Sequence, residues 1–583
     1  MGARSRRRAA THGDAHLLTV TTTRRSIPRA LPWVSLLLAV SLYAQRQTNR
    51  VPAPSIDPER MTAYVKVLAS DEFEGRAPAT AGERKTVDYI VNQFKALGVQ
   101  PGGAPDGRGG RGWTQEVPLA QAEAAGPVKS GFTVGTMHRD LRPGDDIAIR
   151  ATHLPATHVS VVNAPLVFVG FGVTAPERTW DDFKGVDLKG KIALVLINDP
   201  DFEANLGGRF DGKAMTYYGR WTYKFEEAAR RGALGMLVIH ETEPASYGWA
   251  TVKNSNSAAM IDIVRPDPAA VHPPVEGWIQ RPIAVELFKS AGLNFEAEKK
   301  KAQRDDFKPV TLANATFSLE YDVRQQWIVS TNVLGRFEGT SRPDETVMYT
   351  AHWDHLGVGA PDERGDRIYN GARDNALGIA SLLEIARVWA TAPRTGRSVV
   401  FLALTAEEKG LLGSEYYVEH PLHPLDTTVA VYNMDGGSTW GPSKDVAIAG
   451  DGKVSLQRDL ANAARAEERR FSPDPRPEAG SFFRSDHFPF AKAGVPAISF
   501  RSGQDLVSGG PAAGKAASDA YTDKRYHQPA DEWTPDWDLR GAAMDVALLY
   551  ALGREMANSR RWPDWDAGSE FKPVRDRSAA ARR

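Results

Sequence analysis

The sequence predicts an α/β fold, a mostly parallel mixed sheet sandwiched by helices and interrupted by a β-rich insertion. Three observations predict it. From Asn332 onward, strand-like and helix-like segments alternate as NVLGRFEG, ETVMYTAHWDH, GIASLLEIARVWA, SVVFLAL and TTVAVYNMD. Such alternation builds a parallel sheet covered by helices. Between 165 and 240, PLVFVGFGV and GKIALVLIND read as strands, and RWTYKFEEAARRGALGMLVIH reads helix, glycine turn, strand, a separate series. Finally, 583 residues exceed what one ordinary domain needs. The expected organisation is a targeting segment at 1–45, a first part of the main domain at 46–140, the insertion at 141–310, the rest of the main domain at 311–560 and a polar tail at 561–583.

Along the chain, residues 24–45, RRSIPRALPWVSLLLAVSLYAQ, set arginines before a short apolar stretch ending near Ala44, the pattern of a secretory leader. That stretch is too short to span a bilayer comfortably. The expectation is an exported protein, periplasmic or extracellular, with no stable membrane anchor. Two helices follow, Met61 to Ala69 and Gly82 to Leu97. The second carries Val87, Ile90, Val91, Phe94 and Leu97 on one face and is closed by Gly98. Residues 102–112, GGAPDGRGGRG, form a glycine-rich loop.

Composition removes several function classes. Lys plus Arg and Asp plus Glu are equal at 72 each, so no global basic field would recruit nucleic acid. The chain has no cysteine, which excludes disulfides, thiolate metal sites and a cysteine nucleophile. The sequence carries no signal of oligomeric state.

The residues able to do chemistry lie where strands stop. The apolar run Val399 to Leu404 breaks into the adjacent carboxylates Glu407 and Glu408. TVMYTAHWDHLG ends with His352, Asp354 and His355, YNGARDNALGIA places Asp374 before a helix, VAVYNMDGG supplies Asp435, and KRYHQPADEW supplies Tyr526 and His527. In open sheets of this class, ligands bind beyond the carboxyl ends of the strands. Imidazole and carboxylate are the donor set for zinc and similar divalent ions. Neighbouring glutamates repel each other unless a nearby cation dominates the local field.

In order, spacing and context, AHWDHLG, YNGARDNALG, TAEEKGLLGS, YNMDGG, SDHFPF and YH resemble the zinc-dependent exopeptidases that include bacterial secreted aminopeptidases and glutamate carboxypeptidase. LASDEFEGRAPATAGERKTVDYIVNQFKALG resembles the amino-terminal segment of that family. The resemblance implies two zinc ions per chain, although cobalt or manganese would suit the same donors. It implies His352 and Glu408 on different ions, Asp435 and His527 completing the two sets, and Asp374 bridging both. It further implies that Asp354 orients the His352 imidazole and that Glu407 takes a proton from the attacking water and passes it to the leaving amine. Tyr526 would donate to the tetrahedral oxyanion. PLVFVGFGV, GVDLKGKIALVLIND and FEEAARRGALGMLVIH resemble a protease-associated domain, expected as a lid or wall near the cleft.

The implied activity is peptide hydrolysis, most simply at the amino terminus of peptides or proteins. Glu407 and Asp435 could hold a substrate ammonium. A carboxypeptidase or dipeptidase would instead need an arginine cluster, for which Arg364, Arg367, Arg373, Arg484 and Arg501 are candidates. A non-catalytic binding module on the same scaffold is the other alternative. It is disfavoured because all five ligand positions and Glu407 are filled. His355 is read as structural, His487 as shaping the pocket, and Arg373 as a departure from the small or acidic residue usual before the bridging aspartate. GFGVTA at 170–175 fails as a dinucleotide fingerprint because Pro176 intervenes before any helix. Ser485, Asp486 and His487 are consecutive and so cannot easily converge as a triad.

Overall fold

In the computed structural model, residues 55–204, 207–256, 259–450 and 452–582 are described; the leader read at 24–45 lies outside them. The main sheet contains β1 (Thr114–Ala124), β2 (Met260–Ile263), β3 (Val310–Phe337), β4 (Arg342–His352), β5 (Arg397–Leu404), β6 (Thr428–Met434), β7 (Asp445–Ile448), β8 (Arg470–Phe471) and β9 (Ala497–Ser502). Their order is β2-β1-β3-β5-β4-β6-β9-β7-β8. The centre, β5-β4-β6-β9, is parallel, and the flanks add antiparallel neighbours, giving the mixed α/β sheet expected.

The central strands read as unbroken apolar runs because both their faces are covered. Every residue of β5 and β6 is buried. Met348, Val400, Leu402 and Val431 point to one face, where they meet Tyr417 and Phe490. Val347, Tyr349, Val399, Phe401 and Tyr432 point to the other, into the larger core. That core is closed by helices α1 (Pro58–Leu68), α2 (Ala81–Ala96), α3 (Leu377–Thr391) and α5 (Arg540–Asn558), while α4 (Leu412–Glu419) supplies Tyr417 on the first face. Helix α3 is the crossover between parallel β4 and β5 and is apolar almost all round, as a helix enclosed by sheet and neighbours must be. Among the described residues, no helix is long and apolar enough to cross a membrane.

A second sheet begins at Lys129–Val134 and continues through Met137–Leu141, His158–Phe168, Ile192–Leu196, Gly235–His240, Val275–Gln280 and Ile147–Arg150. The boundaries expected at 141 and 310 therefore fall inside it. The first half of β3 pairs with Lys129–Val134 and His158–Phe168, and its second half pairs with β1 and β5. One extended strand thus belongs to both sheets. A hydrophobic pattern read locally cannot reveal where a strand changes partners.

The seam between the two sheets is polar and aromatic. Tyr217 packs against Phe488 at 5.2 Å between ring centroids, and Lys492 pairs with Glu226 at 2.8 Å. Within the main unit, Arg265, just beyond β2, reaches Glu415 and Glu419 on α4 at 3.0 and 2.6 Å. The expected polar tail at 561–583 packs instead on the main core, because Trp565 and Phe571 are buried there. Two isolated aromatic residues give too weak a periodic signal to be read as core from sequence.

Arg76, in the segment DEFEGRAP, ties the amino-terminal part to the site. Its guanidinium is fully buried and donates to the main-chain oxygens of Trp353 (2.9 Å), Leu68 (2.6 Å), Asn370 (2.6 Å) and Gly371 (2.8 Å). Two of the loops that carry candidate ligands are therefore pinned by one side chain. Burial pulls Arg76 down to about 10, still charged at neutral pH, with Asp531, Asp354 and Asp374 opposing the loss. Arg76→Met would leave four buried carbonyl oxygens without their charged donor, and each hydrogen bond to a charged group is worth about 1.5–3 kcal/mol. The variant should lose at least about 3 kcal/mol of stability in denaturant unfolding; an unchanged midpoint and slope would refute this role.

Candidate metal centre

The carboxyl ends of β4, β5 and β6 deliver most of the predicted residues, and each exit is shaped by its local sequence. His352 is the last residue of β4. Beyond β5, Ala406 takes a left-handed turn at φ 52, followed by a single 3-10 turn, Glu407–Lys409. In that turn the adjacent Glu407 and Glu408 point apart, one toward His352 and the other toward His527. Asp374 sits in the irregular turn ahead of α3, where its φ/ψ of −115°/89° departs from helix. Asp435 follows β6 directly, and Gly436 after it adopts φ 81. His527 arrives from a distant loop with φ 57, a conformation costing a non-glycine residue about 1–3 kcal/mol.

These residues converge around Asp374. Its Oδ1 lies 3.3 Å from His352 Nε2 and its Oδ2 lies 3.4 Å from His527 Nε2. On the His352 side, Asp435 Oδ1 is 3.5 Å and Glu407 Oε2 is 3.9 Å from the same nitrogen. On the His527 side, Glu408 Oε2 is 3.0 Å from Nε2. Two donor sets result, His352 with Asp374 and Asp435, and His527 with Asp374 and Glu408, sharing one carboxylate.

The neighbours hold these groups in register. His352 Nδ1–H donates to the main-chain oxygen of Asp354 at 3.2 Å. This leaves Nε2 facing the carboxylates of Asp374 and Asp435, buried and without a hydrogen bond of good geometry. The expectation that the Asp354 carboxylate orients the imidazole needs correction. That carboxylate lies 3.8 Å from Nδ1 and instead accepts the backbone N–H groups of Glu407 (3.1 Å) and Glu408 (3.4 Å). The reason is that β4 ends at His352, so the alternation of a strand no longer governs Asp354. His355 Nδ1–H donates to Glu408 Oε1 at 2.6 Å, turning the other oxygen toward His527. Asn375 Oδ1 accepts from Gly378 N and Gly436 N, both at 2.9 Å, which joins the Asp374 turn to the Asp435 loop.

Asp531 was missed in the sequence, although it lies four residues after His527 in the same quoted motif. Its carboxylate accepts the backbone N–H of Arg373 (3.2 Å), that of Asp374 (3.1 Å) and the hydroxyl of Tyr521 (3.1 Å). Spacing alone could not separate this main-chain anchor from a surface acid.

Charge explains what the cluster lacks. Burial pushes the Glu407 carboxyl well above the usual range, reinforced by Asp435, Glu408 and Asp486, despite the pull of the His352 imidazole. Burial likewise raises Asp354 and Asp486 to about 7. Against burial, the flanking histidines hold Asp374 well below its ordinary value. His352 is itself raised well above its ordinary value, since Glu407, Asp374 and Asp435 outweigh its burial. An anionic cage around buried imidazoles has the donor chemistry of a divalent-cation site.

The remaining candidates separate. Tyr526 is 46% exposed and its ring stacks on His527 at 3.9 Å between centroids. Ser485, Asp486 and His487 form no triad. Ser485 Oγ accepts from Asn433 Nδ2 at 2.7 Å, Asp486 accepts from Ser414 Oγ at 2.6 Å, and both His487 ring nitrogens are buried without partners. Arg364 pairs with Asp362 at 2.9 Å, Arg367 donates to Gly359 O at 3.0 Å, and Arg484 lies 5.6 Å from the Tyr247 ring. Only Arg373 and Arg501 of the five arginines line the cavity beside Asp435.

Residues 332–551 match the profile of peptidase family M28. The chain is 31% identical over 363 residues to aminopeptidase YwaD of Bacillus subtilis, an alignment covering 61% of this chain and 62% of that protein. It thus spans a little under two thirds of that relative's length. The probable lipoprotein aminopeptidase LpqL of Mycobacterium tuberculosis is 22% identical over 510 residues, 85% of this chain and 83% of that one. Among solved structures, an aminopeptidase from Aneurinibacillus sp. strain AM-1 superposes with a TM-score of 0.47 at 20% identity, covering 87% of this chain and 95% of that chain. The stretch that matches the peptidase family M28 profile, residues 332–551, is the one in which β4, β5 and β6 deliver His352, Glu407, Glu408 and Asp435.

Proposed function

We propose that this chain is an exported zinc metalloexopeptidase that acts as an aminopeptidase, with two zinc ions held by His352, Asp374 and Asp435 and by His527, Asp374 and Glu408. The observation that carries the reading is Asp374, whose two oxygens face two different histidines at 3.3 and 3.4 Å. The buried Nε2 of His352, caged by the carboxylates of Asp374, Asp435 and Glu407, supports it. Cobalt or manganese would fit the same oxygen-rich donors. The export reading rests on the 24–45 stretch of the sequence.

Zinc bound there would supply a water of lowered pKa and polarisation of the scissile carbonyl. The chain's own residues do the rest. Glu407 stands beside both donor sets with its backbone N–H fixed by Asp354, so its carboxylate is aimed at the reacting groups. It takes the proton of the attacking water as the C–O bond forms, then delivers it to the leaving nitrogen as the C–N bond breaks. Asp354 serves by holding the turn that separates Glu407 from Glu408. Tyr526, stacked on His527 and open to solvent, is placed to reach the oxyanion once substrate covers it. The second sheet acts as a protease-associated wall, since Tyr217 packs on Phe483 and Phe488, which flank the Asp486 segment.

Glu407→Gln should keep its metal and lose about 10²–10⁴-fold in kcat on aminoacyl anilides; parent-like turnover would remove Glu407 from the proton transfer. Asp374→Asn should lower metal content from two equivalents to one or fewer by elemental analysis, and two retained equivalents would sink the shared-carboxylate assignment. Turnover restricted to amino-blocked dipeptides would replace the aminopeptidase reading with a carboxypeptidase one.

A further inference from the structure

Outside the Asp374 centre, the described residues bring one more group of histidines and a carboxylate together, His153, His272 and Glu276. Each offers a nitrogen or oxygen within 4.8 Å of those of the other two. Glu276 belongs to the strand Val275–Gln280, and His153 follows the strand Ile147–Arg150 that pairs with it. His272 lies in the connection from β2 to Val275–Gln280. The two imidazole rings are 4.4 Å apart between centroids.

Each donor is held from behind. His153 Nδ1 is buried with no hydrogen-bond partner. The backbone around it is fixed, because Thr152 N–H donates to the Tyr321 hydroxyl at 3.1 Å and Leu154 N–H to Thr152 Oγ1 at 3.2 Å. Burial, with His272 beside it, pushes the His153 imidazole down to about 4, so it stands in the neutral form that binds metal. His272 Nδ1 lies 2.7 Å from Glu276 Oε1, and its Nε2 lies 3.0 Å from Asp262 Oδ2 on β2. Arg150 Nε donates to the other oxygen of Glu276 at 3.0 Å, and Arg265 donates to both oxygens of Asp262 at 2.9 and 3.1 Å.

A histidine whose far nitrogen donates to a carboxylate is fixed in tautomer and orientation, the arrangement that supports metal-bound imidazole. With Nε2–H on Asp262, the Nδ1 of His272 is left to share an ion with Glu276 Oε1 and His153. Charge is compatible. Arg265 is also shared with Glu415 and Glu419, so four carboxylates face two guanidinium groups and two negative charges stay uncompensated by those arginines. A proton on His272 is the rival occupant, since against burial Glu276 and Asp262 raise that imidazole to about 10. The proton accounts for both short contacts of His272, yet it gives the buried Nδ1 of His153 no partner.

We propose that His153, His272 and Glu276 hold a structural divalent cation of the zinc class, which ties β2 to the second sheet through Asp262. The assignment is independent of the peptidase reading.

Zinc is the probe. Protein stripped with a chelator, reloaded with zinc and dialysed is assayed by elemental analysis, as the parent and as His153→Phe. The variant should hold one equivalent less than the parent. That difference stands whether the Asp374 centre takes two ions, one or none, so failure of the peptidase reading would not disturb it. His138→Gln, at an exposed histidine, is the control, and an equal loss there marks adventitious surface binding and overturns the proposal. Diffraction from parent crystals at the zinc absorption edge needs no variant to fold. An anomalous peak about 2.0–2.2 Å from donors of His153, His272 and Glu276 upholds the site. Equal zinc in parent and His153→Phe, or no peak at this position, overturns it and leaves the proton as the occupant.

Discussion

The structure is organised around a concentration of negative charge that the polypeptide alone does not neutralise. Asp374, Glu407, Glu408 and Asp435 meet at the carboxyl edge of a parallel sheet, with Asp354 and Asp486 buried close behind. Two imidazoles are the nearest cationic partners, and the Glu407 carboxyl is driven well above its ordinary range by burial and by the other acids. Such an arrangement is costly unless divalent cations enter it, since a buried unpaired charge is far more expensive than a paired one. The scaffold must therefore be stiff enough to hold repelling groups together before the ions arrive.

That stiffness comes from acids and bases that bind backbone rather than metal. Asp354 caps the turn containing Glu407 and Glu408, Asp531 holds the turn containing Asp374, and Asn375 joins that turn to the loop after Asp435. Arg76 closes the set by binding main-chain oxygens beside His352 and in the segment leading to Asp374. Each of these side chains satisfies polar groups that an irregular loop would otherwise bury unpaired. Residues at the centre thus divide into those whose side chains meet around Asp374 and those that hold the backbone carrying them.

The second sheet is joined to this centre covalently as well as by contact. Strand β3 runs through both sheets, and Glu226 pairs with Lys492 across the seam.

Much of this was legible in the chain itself. The parallel centre followed from alternating apolar strands and helices, because strands buried on both faces must be apolar throughout. The histidines and carboxylates that cluster around Asp374 were legible because their types and order match only a few chemistries. What tertiary structure decided was the work of residues whose role depends on partners far away in sequence. Asp354 faces two backbone amides rather than an imidazole because its strand has already ended. Asp531 and Arg76 are anchors, a function without local periodicity. The sheet boundary near residue 129 and the buried Trp565 and Phe571 were set by long-range pairing and packing. Sequence records what a side chain can do; the approach of distant segments determines which of those capacities is used.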